Sequence, residues 1–580
     1  MAESPQYVGK FRIGMFPLDL DLGSQTNHDI TRGWLVNCRE THSACPDSSI
    51  LPILPNRVLE VGATPSPTCR LVHTRGGKGH YAALSHCWGG PISPVLNKKT
   101  LESFQREIPL SSLPANFRDA IIITRQLSIR FLWIDSLCIV QDSVEDWETE
   151  SEVMGDIYRC SLVTISALQS PHSKAGILVH ASDLENTSED DSSWENDAAP
   201  EADLMTATSW LPVFDGDPTK SVQVQEPCHL EQLDVVFKIK LAPLLGRGWT
   251  LQESILPARQ LYYGSQQIYW RCLQGSTGPA DPGGGSETVR ACFQSADGSS
   301  SPAACFPDQT DGYPALSAAL HGKRPDSVAQ SALLADFRNL VRDFTRRALT
   351  VDTDMLPAIS GVAQALDPRV DGQYLAGIWS NDVPLALLWL ASKGRDEPSA
   401  RRELGRRRGA PSWSWASSSC PVEFVNLDKL GGPAYARGLE LQLISHGVIP
   451  REGSKNRYGP VAEGSWIRLR GMATQLFVEQ QLPNIKERSE VGIVQLDEYP
   501  RTKDRELFMT SSGHLHCIDK RKGGRKEYLV LLAKGATLLL LEKAENQKDI
   551  MYRRVGITRF YERHLDECVH HLHMKEVIIV

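Results

Sequence analysis

The residues of this chain best suited to chemistry lie in a few short stretches. Gly246-Arg247-Gly248-Trp249-Thr250-Leu251-Gln252-Glu253 opens on two glycines and is closed by Pro257. That leaves room for about two helical turns of roughly 3.6 residues. Trp249 and Glu253 stand four apart, so a helix puts both on one face. An aromatic beside a carboxylate fits an active-site fragment, and it equally fits ordinary packing next to a solvated acid. Ser85-His86-Cys87-Trp88 ends an apolar run, and Asp135 follows a second one. His86 and Cys87 invite comparison with a nucleophile pair, but neighbours on a strand face opposite sides, which argues against a direct dyad. Cys38, His42 and Cys45 form a Cys-x3-His-x2-Cys set, three soft ligands where zinc usually takes four. Nothing nearby fixes Cys69 or Cys87 as the fourth. Reduced cysteines also pack as small hydrophobes, so the reading taken is a buried helical stripe of Trp34, Cys38 and Cys45, with no metal.

These groups need elements to hold them. Tyr81-Ala82-Ala83-Leu84-Ser85-His86-Cys87-Trp88 reads as a buried strand running into a Gly-Gly-Pro loop. Phe117, Ala120, Ile121 and Leu127 recur at helical spacing after Pro114. A second apolar strand is predicted over Phe131–Ile139. A second helix starts at Ser143, whose hydroxyl can cap it while Asp146 sits three residues on. Its apolar stripe is Trp147, Met154, Ile157 and Tyr158, and Glu150 falls inside that stripe. A carboxylate there either pairs with a cation, such as Arg130 or Arg159, or lines a site. Ser161–Leu168 reads as a third strand, and Arg259–Tyr263 with Gln267–Cys272 as two strands around a turn. Strands alternating with helices, each strand apolar nearly throughout, predict a parallel α/β sheet. Ligands bind such sheets beyond the carboxyl ends of the strands, where Ser85, His86, Trp88 and Asp135 fall. Each of them also fits a structural role, as a loop cap or a hydrogen-bonded histidine.

At 580 residues the chain exceeds a single core, so about two to four domains are expected. Residues 1–75 form an N-terminal segment and 76–275 the α/β domain. Within it, 183–232 is an acidic insertion too poor in large apolar residues to order itself. A Gly- and Ser-rich linker is expected over 276–332, a helical region over 333–410 and a β-rich region over 411–580. The net charge of −8 argues against a nucleic-acid binder. No run is long and apolar enough to span a bilayer. Thirteen cysteines without a CxxC pair, and no export signal, predict reduced thiols and a cytoplasmic location. The common nucleotide-binding, hydrolase-elbow and metalloprotease motifs are absent from the sequence.

Taken together, Tyr81–Gly89, Phe131–Asp142, Asp146-Trp147-Glu148-Thr149-Glu150 with Met154, Ile157 and Tyr158, and Arg247–Glu253 resemble the fungal heterokaryon-incompatibility (HET) domain. The likeness covers about residues 80–275. It implies a role in non-self recognition and regulated cell death, with an incompatibility partner protein and self-association into a homo-oligomer. HET domains in turn resemble TIR domains, which have a flavodoxin-like α/β fold. Several TIR domains cleave NAD through the glutamate of a Trp-Cys-x-x-Glu motif. Trp249-Thr250-Leu251-Gln252-Glu253 is similar in its Trp and Glu, with Thr in place of Cys. The resemblance therefore implies Glu253 as the catalytic carboxylate and NAD as substrate, in a pocket of Ser85, His86, Trp88, Asp135 and Trp249. The alternatives to this first-ranked reading are a non-enzymatic self-assembling or partner-binding signalling module and an accessory protein of a secondary-metabolite pathway.

Overall fold

The computed structural model describes residues 19–63, 65–178, 242–264, 267–277, 313–322, 325–392, 409–425, 441–479 and most of 488–580. It also gives the backbone of four short strands, Gln6–Val8, Phe11–Ile13, Thr208–Pro212 and Ser221–Gln225. Two compact units emerge, residues 1–150 with 156–312, and residues 151–155 with 313–580. No helix among the described residues is long and apolar enough to cross a membrane.

The first unit is built on one sheet. Its strands in chain order are β1 (Arg57–Glu60), β2 (Thr68–His73), β3 (Tyr81–Ser85), β4 (Ile108–Pro109), β5 (Phe131–Trp133), β6 (Val163–Ala167), β7 (Arg259–Tyr263), β8 (Ile268–Cys272) and β9 (Gly275–Thr277). They lie in the order β9-β8-β7-β6-β3-β5-β1-β2-β4. The pairs β5–β3, β3–β6 and β6–β7 are parallel, and the flanking pairs are antiparallel. Among the four parallel strands the first two lie side by side and the third returns to the other side of β3. That is the flavodoxin-like start, with its topological switch between β3 and β6. Every residue of β3 and β6 is buried, as strands covered on both faces require.

The helices are α1 (Gln25–Thr41), α2 (Leu101–Arg106), α3 (Ala115–Gln126), α4 (Asp135–Cys138), α5 (Val144–Cys160) and α6 (Thr250–Ile255). The expected stripe of α3 is buried at Phe117, Ala120 and Ile121, with Leu127 just past its end. Burying a residue of this size contributes about 1.5–3 kcal/mol. Ser143 caps α5 by accepting from Asp146 N at 3.4 Å. The predicted strand over Phe131–Ile139 is corrected: only Phe131–Trp133 is extended, and Asp135–Cys138 forms a helical turn. The apolar run does not distinguish a buried strand from a strand ending in a buried turn.

Glu150 is paired, but not with the arginines expected from the sequence. Arg130 bonds Glu60 and Arg159 bonds Asp156. The buried Arg57 on β1 reaches Glu150 Oε1 at 3.1 Å and Asp146 Oδ2 at 2.5 Å. Its Nε donates to Cys138 O at 2.6 Å, and Asn56 donates to Glu150 at 3.0 Å. Asp146 also accepts Val140 N at 2.8 Å. One guanidinium thus ties β1, the end of α4 and the first turns of α5. Burial nevertheless pushes the Glu150 carboxyl up, against the pull of Asn56 and Arg57. The correction has a local cause: Arg57 is brought to α5 only by the antiparallel β1–β5 pairing, which sequence distance conceals.

The expected acidic insertion lies outside the described residues, apart from the backbone of the paired strands Thr208–Pro212 and Ser221–Gln225. Within 276–332, residues 278–312 also lie outside them, while Pro314–His321 is helical and a longer helix starts at Ser327. The second unit opens on these helices and Pro357–Leu366. A β-rich region follows. Strands Trp466–Glu479, Leu515–Ile518, Arg505–Thr510, Arg488–Leu496, Met551–Phe560, Thr537–Lys543 and Lys526–Lys534 pair in that order. The last pairs back onto the first, so the sheet closes into a ring. Its core holds Leu476, Val491, Leu507, Val530, Leu540 and Phe560.

Removing the guanidinium that answers two carboxylates tests this reading of Glu150. Arg57→Ala is expected to lower stability by about 3–5 kcal/mol, because it strands buried charge. Adding Glu150→Gln should recover part of the loss. Urea unfolding of the two variants against wild type measures both effects.

Candidate active site at the end of β3

Ser85 is the last residue of β3, at the carboxyl end of the strand beside the switch point. Its Oγ donates to Glu253 Oε2 at 2.5 Å. Glu253 comes from α6, a six-residue helix set up by the turn before it. In that turn Thr250 Oγ1 donates to Leu244 O and to Arg247 O, each at 2.8 Å. Arg247 Nη1 donates to His86 O at 2.7 Å, pinning the turn to the residue after β3. Behind α6, Gln260 Nε2 donates to Glu253 O at 3.3 Å.

Glu253 is 6% exposed. Burial pushes its carboxyl up to about 7, while the Ser85 hydroxyl, Arg247 and the Tyr158 hydroxyl favour the ionised form and Asp135 opposes it. Tyr158 also donates to Leu84 O at 3.0 Å, so α5 closes the site from another side. The result is a carboxylate poised between charge states near neutral pH, where a group serving in acid–base or charge-stabilising chemistry works best.

The other expected residues fall into a second cluster and one outlier. Trp88 Nε1 donates to Asp135 Oδ2 at 2.8 Å, and Asp135 Oδ1 accepts Ser136 N at 2.6 Å. His86 Nε2 lies 3.9 Å from Asp135 Oδ1, too far for a hydrogen bond. Burial holds the imidazole below its ordinary value, so it is neutral and forms no ion pair. His86 instead meets Phe117 edge to face, with centroids 5.1 Å apart. Trp249 is half-buried and packs against Trp147 at 6.3 Å. Trp88, Asp135, Trp147 and Trp249 all retain partial exposure. Buried side-chain atoms of these stretches without partners among the described residues include His86 Nε2 and both ends of the Gln252 amide, along with Trp133 Nε1, Ser136 Oγ and Glu150 Oε2. Leaving such a group unsatisfied costs about 1–3 kcal/mol, so each calls for a reason.

After Trp88 the chain turns through Gly89, where φ is +66° and an added Cβ would lie 2.0 Å from His172 Cβ. Only glycine meets both constraints. Two clefts, of about 670 and 370 Å³, lie elsewhere, the first lined by Glu60, Arg70, Arg106 and Arg125 and the second by Arg32, Arg39 and His80.

Sequence reasoning missed Arg247 and Tyr158 as neighbours of Glu253. Tyr158 was absorbed into an apolar stripe, although a buried tyrosine hydroxyl needs a partner and could have raised the question.

The raised Glu253 carboxyl has a stability consequence. Below its ordinary value of 4.5, folded and unfolded chains both hold the proton. As pH rises from there, the unfolded chain releases its proton first, and the fold loses stability until Glu253 ionises near 7. The loss is on the order of 3 kcal/mol, at about 1.4 kcal/mol for each unit of pKa. Glu253→Gln is therefore expected to melt above wild type at pH 8 and alongside it at pH 4, as calorimetry at the two pH values would show.

Residues 81–253 match a family model described as Heterokaryon incompatibility protein (HET). The matched segment begins at the first residue of β3 and ends on Glu253 itself. No curated protein and no solved structure matches the chain. With the flavodoxin-like start of its sheet and the motif stretches gathered around β3, residues 81–253 of the chain form a heterokaryon-incompatibility (HET) domain.

Proposed function

We propose that this HET domain serves non-self recognition and regulated cell death by cleaving NAD at the nicotinamide–ribose bond, with Glu253 as the catalytic carboxylate. The observation that carries the reading is the buried Ser85–Glu253 hydrogen bond at the carboxyl end of β3. A carboxylate tuned to about 7 sits there, beside the switch point where such sheets take their ligands. The unpartnered His86 Nε2 and Gln252 amide support it, as polar groups held ready for a ligand. Trp88 and Trp249 keep exposed ring surface on which a flat heterocycle can stack.

In the reaction the N-glycosidic bond breaks and its electron pair goes to the pyridinium nitrogen. Nicotinamide then leaves neutral, and no general acid is required. Positive charge builds on the ribose, as in glycoside cleavage. Ionised Glu253 stabilises that charge, by about 4 kcal/mol at ~4 Å and an effective dielectric of ~20. Water adds to the ribose carbon and gives its proton to the carboxylate. Ser85 holds and orients the carboxylate, and the cationic pyridinium itself favours the ionised form.

Incubating the purified full-length protein with NAD and following nicotinamide by chromatography tests the proposal. Release by wild type should rise with pH through about 7, the value to which Glu253 is pushed. Glu253→Gln should lower it by about two or three decades, at about 1.4 kcal/mol per decade. Ser85→Ala removes a hydrogen bond that favours the carboxylate, so the rising limb should move to higher pH. Equal release by wild type and Glu253→Gln, or none from wild type, would refute the proposal. Cell death on expression that survives Glu253→Gln would instead favour a non-enzymatic signalling module.

A further inference from the structure

The fourth soft ligand missing from the Cys38, His42 and Cys45 set comes from 227 residues further along the chain than Cys45. Cys272, the last residue of β8, brings its thiol into the same cluster. The four ligand atoms all lie within 4.8 Å of one another, and His42 Nδ1 is 3.2 Å from Cys272 Sγ. The expected burial of Trp34, Cys38 and Cys45 holds, but not their shared helical stripe: α1 ends at Thr41, and Cys45 lies in the turn beyond it. Packing alone, however, does not account for a histidine and three thiols converging on one point. Cys38 lies in the last turn of α1, and His42 follows it by four residues as the helix cap. Cys45 N then donates to His42 O at 3.3 Å, in a turn that folds the third ligand back on the first two.

A second observation is independent of the cluster's shape. Arg259 is 3% exposed and faces no carboxylate among the described residues. It sits opposite Cys272 in the β7–β8 pairing. Its Nε donates to Cys38 Sγ at 3.2 Å, and its Nη2 to Pro46 O at 2.8 Å and Ser48 Oγ at 3.3 Å. A buried guanidinium needs a negative charge close by. Three neutral thiols and an imidazole supply none. Three thiolates around one divalent zinc leave a single negative charge, and the arginine then both neutralises the centre and orients a ligand sulfur.

We propose that Cys38, His42, Cys45 and Cys272 bind one zinc ion in a structural Cys3His site that ties α1 and the turn after it to β8. Zinc–sulfur bonds of about 2.3 Å and zinc–nitrogen bonds of about 2.0–2.1 Å give tetrahedral edges of roughly 3.5–3.8 Å, which the observed separations reach with small side-chain shifts. Thiolate-rich tetrahedral sites select zinc. With four protein ligands and no position left for water, the site is structural.

Zinc measured by mass spectrometry on the full-length protein, purified without a metal-chelate resin, should be about one per chain. Cobalt exchanged into wild type should show the intense visible absorption of a tetrahedral thiolate site. Cys272→Ser and Cys38→Ser should lose most of the zinc, while Cys160→Ser, altering a half-buried cysteine outside the cluster, should retain it. These variants can misfold, so wild type is also alkylated with and without a strong chelator. Protection of Cys38, Cys45 and Cys272 that the chelator abolishes is the expected result. Any of three findings overturns the proposal: no zinc in wild type, a disulfide joining two of the three cysteines, or full zinc retention in Cys272→Ser.

Discussion

The hydrogen bond between Ser85 and Glu253 joins the end of a central strand to a short helix 168 residues later. Most of the first unit can be understood as what is needed to hold it. A carboxylate that is 6% exposed survives only if the groups around it answer its charge or its proton. Ser85, Tyr158 and Arg247 do so from three separate segments, the end of β3, helix α5 and the turn before α6. Arg247 in turn holds the backbone of His86, so the turn that carries the acid is fastened to the strand that carries its partner. Residues distant in sequence become one chemical unit because the parallel order places β3 at the centre, with β6 and β5 on either side.

The same constraint recurs in two other buried charges of the first unit. Arg57 is shared by two carboxylates and a carbonyl, and it fixes the start of α5, the helix that delivers Tyr158. Arg259 has sulfur and oxygen acceptors in place of a carboxylate. It opens β7, the strand directly after α6. Each guanidinium therefore braces an element adjoining the Glu253 site. Their apolar surroundings strengthen those bonds and make their loss costly.

What the sequence made legible follows from physics that acts locally. The apolar run Tyr81–Ser85, the helical spacing after Pro114 and the Ser143 cap are set by neighbouring residues, and all three appear in the fold. Glu253 was legible as a motif residue, while its pairing with Ser85 was visible only through the order of the strands. Long-range partners were hidden. Arg57 was not seen as the answer to Glu150, nor Cys272 as the neighbour of Cys38, because strand pairing rather than spacing brings them together. Phe131–Ile139 was overextended, since continuous apolarity signals burial without specifying backbone shape. Trp249 shows a different limit: helical spacing relates it to Glu253, but its ring packs on Trp147.

The margins of the first sheet bear on association between copies of the chain. On one side the sheet ends at Ile108–Pro109, a strand of two residues. The proline has no N–H to offer, and two residues give an incoming strand almost nothing to template on. On the other side the terminal strand is the three-residue Gly275–Thr277, which begins on a glycine. Among the described residues, neither terminal strand gives a strand from another copy more than three residues to pair with.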